Sequence, residues 1–162
     1  MAYFIRNATE SDLPQILDIY ASARRFMAEN GNPTQWGSTY PNESIVQEDL
    51  NRNQLFVCTE NATICGVFCY FFGEEPDYLH IYDGAWQNQQ PYGVVHRLAT
   101  GSAHRGVASA CLAYAFSLCG NLRIDTHADN FPMQRLLAKN GFLRCGMVHC
   151  CHGGDRIAYQ KT

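Results

Sequence analysis

The chain has no basic excess. Twelve Lys and Arg stand against fifteen Asp and Glu, a formal net charge of −3. A general nucleic-acid binder needs the opposite balance, so that class is excluded. No apolar run is long enough to cross a bilayer, and no membrane association is expected. The opening MAYFIRNATESD lacks the basic-then-apolar plan of an export signal. No GKS or GKT follows a glycine loop, and no GxGxxG is present, which excludes a P-loop and a dinucleotide fingerprint. Internal repeats and linker-like stretches are also missing, so residues 1–162 read as one domain with a core. What the chain does have is eight cysteines. Without an export signal these read as reduced, small core residues, several of them inside apolar segments (Cys58, Cys65, Cys69, Cys111, Cys119), and the expected location is cytoplasmic.

The stretch from Gly93 to Gly120 organises the rest. Val94, Val95, Leu98 and Ala99 suit a buried strand. Gly101, Ser102, Ala103, Gly106 and Ala108 then leave a backbone with little side-chain bulk. A helix follows with an apolar face at Ala108, Cys111, Leu112, Ala115, Phe116 and Cys119, closed by Gly120. Such a loop presents free N–H groups and the positive end of a helix dipole, a good seat for phosphate, and Arg105 adds a permanent charge.

Before that stretch, Tyr3–Ile5 reads as a strand, Thr9 and Asp12 as a capping box, and about Ser11 to Ala28 as a helix. Residues 29–41, rich in Gly, Asn and Pro, form a loop that carries Trp36 and Tyr40. These two rings either pack on the core or wall a substrate pocket. Asn42 caps a second helix from Glu43 to about Leu50. Gln54–Thr59 and Ile64–Phe72 form a hairpin turning at Glu60-Asn61, with Gly66 marking a bulge or a close backbone approach. Residues 74–90 alternate polar and aromatic and hold at most a short strand. After the organising stretch come a strand over Asn121–His127 and a helix capped by Asn130 and ended by Gly141. A final hairpin spans Phe142–Cys151 and Arg156–Lys161. The order is β-α-α-β-β-β-α-β-α-β-β.

The spacing of the organising stretch resembles the acetyl-CoA-binding motif of the GNAT acyltransferase family. Leu98-Ala99-Thr100 stands as the strand end and Gly106-Val107-Ala108 as the G-x-A, while Ala103 replaces the family's usual Gln or Arg. Asp129–Phe142, DNFPMQRLLAKNGF, resembles the family's second signature, and IRNATESDLPQI its first strand and helix. The resemblance covers nearly the whole chain. It implies a mixed α/β, mostly antiparallel sheet with a splayed central parallel strand pair, flanked by helices. It implies acetyl transfer from acetyl-CoA to a primary amine by direct attack. The thioester would lie by Leu98, Ala99 and Thr100, and the pyrophosphate on His104, Arg105, Gly106, Val107, Ala108 and Ser109, with Asn130 on the pantetheine arm. Two other functions suit the same fold: a CoA-binding sensor without turnover, and transfer of a longer acyl group.

The acceptor would be a small-molecule or peptide amine, with Trp36 and Tyr40 over its cleft; a homodimer is compatible with the resemblance. Direct attack needs alignment, an oxyanion donor and help for the departing amine proton. The family's usual acid, a Tyr four residues before the Gly of K-x-G-F, is replaced by Leu137, so the thiolate leaves unaided or another group serves. Three strand residues are candidate bases: His96, Asp125 and His127, the last two sharing a face of one strand. The run His149-Cys150-Cys151-His152 invites a metal reading. Strand alternation forbids all four from meeting one ion, and no separated C-x2-C pair exists, so no metal is expected.

Overall fold

The computed structural model describes residues 2–101 and 105–162. The chain opens with β1 (Phe4–Asn7), and the expected capping box then forms. The Thr9 N–H donates to Asp12 Oδ2 at 2.8 Å, and a 3₁₀ turn leads into α1 (Leu13–Glu29). Arg6 forks onto the same carboxylate at 2.7 and 3.1 Å, which holds Asp12 below the usual carboxylate range. A loop free of regular structure carries Trp36 and Tyr40 to α2 (Glu43–Asn51), whose Asn42 cap accepts the Ile45 N–H at 2.9 Å. The hairpin β2 (Leu55–Glu60) and β3 (Thr63–Phe72) turns at Asn61-Ala62. β4 is only Ile81–Tyr82, β5 is Gly93–Thr100, and α3 is Val107–Cys119. β6 (Leu122–Thr126), α4 (Phe131–Lys139), β7 (Leu143–His149) and β8 (Asp155–Lys161) complete the chain.

Among the described residues the sheet has eight strands in the order β1-β2-β3-β5-β6-β8-β7-β4, and β5–β6 is its parallel pair. The expected order holds with one addition. β4 is too short to carry a periodic signal, and it pairs with the outer side of β7 through Ile81↔Val148 and Tyr82↔Met147.

Both faces of β2, β3 and β5 are covered, which is why these strands are apolar almost without break. Val57 and Val67 face Ile16, Tyr20 and Val46 of α1 and α2. Their neighbours Cys58 and Phe68 face Leu112, Ala115 and Leu137 of α3 and α4. Phe56 and Phe68 stack across the β2–β3 pair at 5.4 Å. The expected thiols behave as core atoms: Cys58, Cys65, Cys69 and Cys111 are buried, and all eight cysteines are free. No helix is long and apolar enough to cross a membrane among the described residues.

Gly66 shows the close approach read from the sequence. A Cβ placed there would lie 2.6 Å from Val107 Cγ1, at the first turn of α3. The absence of a side chain lets that helix start sit directly on β3. Gly66→Ala should therefore lower stability by roughly 1–3 kcal/mol, the usual cost of overpacking. Urea unfolding measures it; a change under about 0.5 kcal/mol would show that Val107 simply turns aside.

Candidate active site

The parallel pairing of β5 and β6 consists of Gly93↔Leu122 and Val94↔Arg123 and then stops. β5 runs on to Thr100 and β6 to Thr126, so from Val95 and Ile124 onward the strands diverge. Two cavities open at this splay. The larger, about 650 Å³, is bordered by Trp36, Tyr40, Glu75, His96, Asp125 and Cys151. The smaller, about 430 Å³, lies against Phe26, Ala99, Thr100, Ala108 and Pro132. Met27, Leu98, Asn130 and Met133 border both, so the two meet beside the end of β5.

β5 carries one extra residue against β3. Val67 pairs with Ala99 and Cys69 with His96, so two steps on β3 match three on β5. The irregularity falls at Arg97, whose φ is +52°. That conformation costs a non-glycine residue roughly 1–2 kcal/mol. The side chain holds it in place. Arg97 Nε and one terminal NH2 fork onto Asp49 of α2 at 2.8 and 2.7 Å, and the other NH2 donates to the Tyr40 hydroxyl at 2.9 Å. The Arg97 carbonyl accepts the Tyr20 hydroxyl of α1 at 2.8 Å. Burial disfavours the guanidinium charge, but the bond to Asp49 and the combined fields of Asp49, Cys69 and Tyr40 together outweigh it and hold the group above its ordinary value.

The bulge leaves His96 in the larger cleft. Its Nε2 lies 2.8 Å from Glu75 Oε2, and Glu75 Oε1 accepts the Asp77 N–H at 3.2 Å. Burial pushes the Glu75 carboxyl up, but His96 and the Asp77 N–H together win and keep it below the usual range. An ionised Glu75 is an acceptor only, so the proton of a neutral His96 sits on Nε2 and Nδ1 keeps its lone pair. Across the splay, Asp125 Oδ2 accepts the Tyr78 hydroxyl at 2.6 Å. Burial and the Asp125 charge push that phenol well up, so Tyr78 stays a donor.

His127 does not join them. β6 ends at Thr126, one residue earlier than the sequence pattern indicates, and the chain turns toward α4. His127 Nδ1 accepts the Asp129 N–H at 3.0 Å, and its Nε2 lies 3.4 Å from Thr34 Oγ1, so both nitrogens are engaged; Thr34 borders the larger cleft, but His127 does not. Sharing a strand face with Asp125 fails because the strand is over.

Of the residues expected to hold acetyl-CoA, Leu98, Ala99 and Thr100 end β5 beside the smaller cavity. Gly106, at φ +77°, turns the chain into α3, whose first intrahelical bond runs from the Ala110 N–H to the Gly106 carbonyl at 3.0 Å. The N–H groups of Val107, Ala108 and Ser109 are thus left without an intrahelical acceptor. Arg105 lies exposed before them, its carbonyl held by the Tyr3 hydroxyl at 2.5 Å. The Ser109 hydroxyl accepts an amide N–H of Asn140 at 3.1 Å, which ties α3 to the end of α4. His104 and Ala103 lie outside the described residues. Asn130 caps α4 through Met133 N–H at 3.2 Å and donates to Gln35 Oε1 at 2.9 Å.

Trp36 is both things that the sequence left open. Its ring packs edge-on to Tyr20 at 5.7 Å in the core, and it still borders the cleft. Tyr40 borders the cleft as well and touches His152, ring to ring, at 5.0 Å. Leu137, at the family's acid position, is fully buried in the core. Sequence reasoning missed Glu75, Tyr78, Asp49 and Arg97. A usable signal existed for Arg97 alone, because a charge inside an apolar strand needs a buried partner.

A model of the acetyltransferase (GNAT) family matches residues 13–142. The chain belongs to that family. A GNAT acetyltransferase from Streptococcus agalactiae 2603 is 30% identical, with a TM-score of 0.89 over 98% of this chain and 94% of that one. A ribosomal-protein-alanine N-acetyltransferase from Brucella melitensis shares the fold at 22% identity, with a TM-score of 0.67 over 98% of each chain. So does a GNAT acetyltransferase from Listeria monocytogenes 4b F2365, at 17% identity and a TM-score of 0.71 over 98% and 94%. No curated protein matches the chain in sequence.

Asp49→Ala would leave the Arg97 guanidinium buried without its counter-ion. The expected loss is roughly 3–5 kcal/mol of unfolding free energy by chemical denaturation. A loss under about 1 kcal/mol would show that the bulge is held by other means.

Proposed function

We propose that the protein is an N-acetyltransferase that moves the acetyl group of acetyl-CoA to a primary amine of a small molecule or peptide, by direct attack. The observation that carries this is the meeting of two cavities at the strand splay. The smaller runs to the bare N–H groups of α3 and suits the pantetheine arm and phosphates. The larger holds a histidine and carboxylates and suits the amine. At their junction, the unpaired backbone near Leu98 can meet the thioester oxygen. The eight free cysteines support the expected cytoplasmic setting.

In this reading His96 Nδ1 takes the proton from the attacking amine, directly or through one water, and Glu75 holds the ring and stabilises the imidazolium that forms. Asp125, fixed by Tyr78, binds or orients the incoming ammonium. Trp36 and Tyr40 wall the acceptor. Leu137 offers no proton, so the CoA thiolate is not protonated from that position.

A CoA-release assay over a panel of amines, polyamines and peptide N-termini tests turnover. Acetyl-CoA binding without release on any acceptor would favour a sensor. His96→Ala should lower kcat/KM at neutral pH by on the order of 10²–10⁴-fold. Part of that loss should return at high pH, as more of the amine is already deprotonated. Activity kept within about twofold would remove His96 from proton transfer. On the cofactor side, Ala108→Phe should fill the smaller cavity and weaken acetyl-CoA binding, measured by calorimetry, by at least roughly tenfold, or about 1.4 kcal/mol. Unchanged affinity would place the cofactor elsewhere.

A further inference from the structure

One cluster in the wall of the larger cleft is given no role in the proposed acyl transfer. One ligand atom each from Asp77, Cys150 and Cys151 lies within 4.8 Å of the other two. The cluster joins two distant segments. Asp77 is in the 3₁₀ turn Pro76–Tyr78, and the cysteines are in the connection between β7 and β8. Strand alternation would send adjacent cysteines to opposite sides, but β7 ends at His149 and the rule stops there. The Cys150 N–H donates to the Gly154 carbonyl at 2.9 Å, and the Gly153 N–H donates back to the Cys150 carbonyl at 2.9 Å. That tight turn places both thiols on the Asp77 side. The Cys151 N–H donates to Asp77 Oδ2 at 3.1 Å. The flanking histidines are engaged elsewhere, His149 with Asp155 at 2.8 Å and His152 against Tyr40.

We propose that Asp77, Cys150 and Cys151 form a site for a thiophilic divalent cation of the zinc class. Two sulfurs and one carboxylate oxygen are a borderline-soft donor set, which selects against calcium and magnesium with their all-oxygen shells. Three protein ligands leave the fourth tetrahedral position to water. Zinc–sulfur bonds of about 2.3 Å put two tetrahedral sulfurs about 3.8 Å apart. Ligand atoms within 4.8 Å therefore need to close by at most about 1 Å between the sulfurs and about 1.3 Å between sulfur and carboxylate oxygen, within reach of a turn whose Cys151 is exposed. On binding, both thiol protons leave to solvent, two metal–sulfur bonds form, and the site carries a net charge of −1. The cation would pin the β7–β8 turn to the segment that carries Glu75, so its occupancy would narrow the larger cleft.

The experiment is a cadmium(II) titration of the reduced, metal-free protein, followed by the ultraviolet thiolate-to-cadmium absorption, with zinc as competitor. The expected result is one saturable equivalent that zinc displaces. Cys150→Ser and Cys151→Ser should each weaken binding by more than the roughly 10–100-fold lost with an outer-shell partner, and Asp77→Asn should also weaken it. Absence of a saturable band would overturn the site. So would a band unchanged in the Cys150→Ser/Cys151→Ser double variant, since the other cysteines would then be the ligands. Hydrogen exchange on the wild-type protein needs no variant. Cadmium should slow amides 149–155, and protection confined to other segments would also overturn the proposal.

Discussion

The fork of Arg97 onto Asp49 is the contact on which the rest of the molecule turns. It joins the central strand to α2, and through Tyr40 and Tyr20 it also joins the aromatic loop and α1. Hydrogen bonds to charged groups contribute roughly 1.5–3 kcal/mol each, so the set outweighs the roughly 1–2 kcal/mol of left-handed strain at Arg97. The strain buys an offset of one residue in β5. That offset decides what lies on either side: His96 with Glu75 in one cavity, and Leu98 where the two cavities meet. A regular strand would carry the same residues in a different register.

Two polar pairs of the larger cleft stand on opposite sides of the splay. His96 is tied to Glu75, and Asp125 to Tyr78. Both carboxylates belong to segments that also touch each other, because the turn Pro76–Tyr78 links Glu75 to the phenol on Asp125. The cleft is therefore preorganised by short side-chain bonds that join segments 21 and 47 residues apart. Its dipoles need little rearrangement when charge develops between the strands.

Legibility followed the range of the interactions. The faces of α1 and α3, the caps at Thr9 and Asn42, and the two hairpins are local, and residues within one or two turns determine them. Gly66 was readable because a glycine inside an apolar strand points to a near neighbour, although the identity of that neighbour, Val107, was not. The bulge at Arg97 depends on Asp49, 48 residues away, and no local pattern announces it. Glu75 and Tyr78 lie where polar and aromatic residues alternate without a regular element, so neither 3.6 nor 2 residues per repeat applies. His127 was misplaced by a single residue, the cost of reading a strand end from composition where the turn before α4 sets it.

The ends of the sheet contrast with its middle. The outermost strands are β1 and β4, four and two residues long. A chain seeking to extend the sheet from either of these terminal strands would find a brief template for strand addition. The long unpaired backbone edge lies inside the molecule, between β5 and β6, under the cover of α1, α3 and α4. Hydrogen-bonding capacity that would invite aggregation on a flank is thus kept where only a slender ligand can reach it.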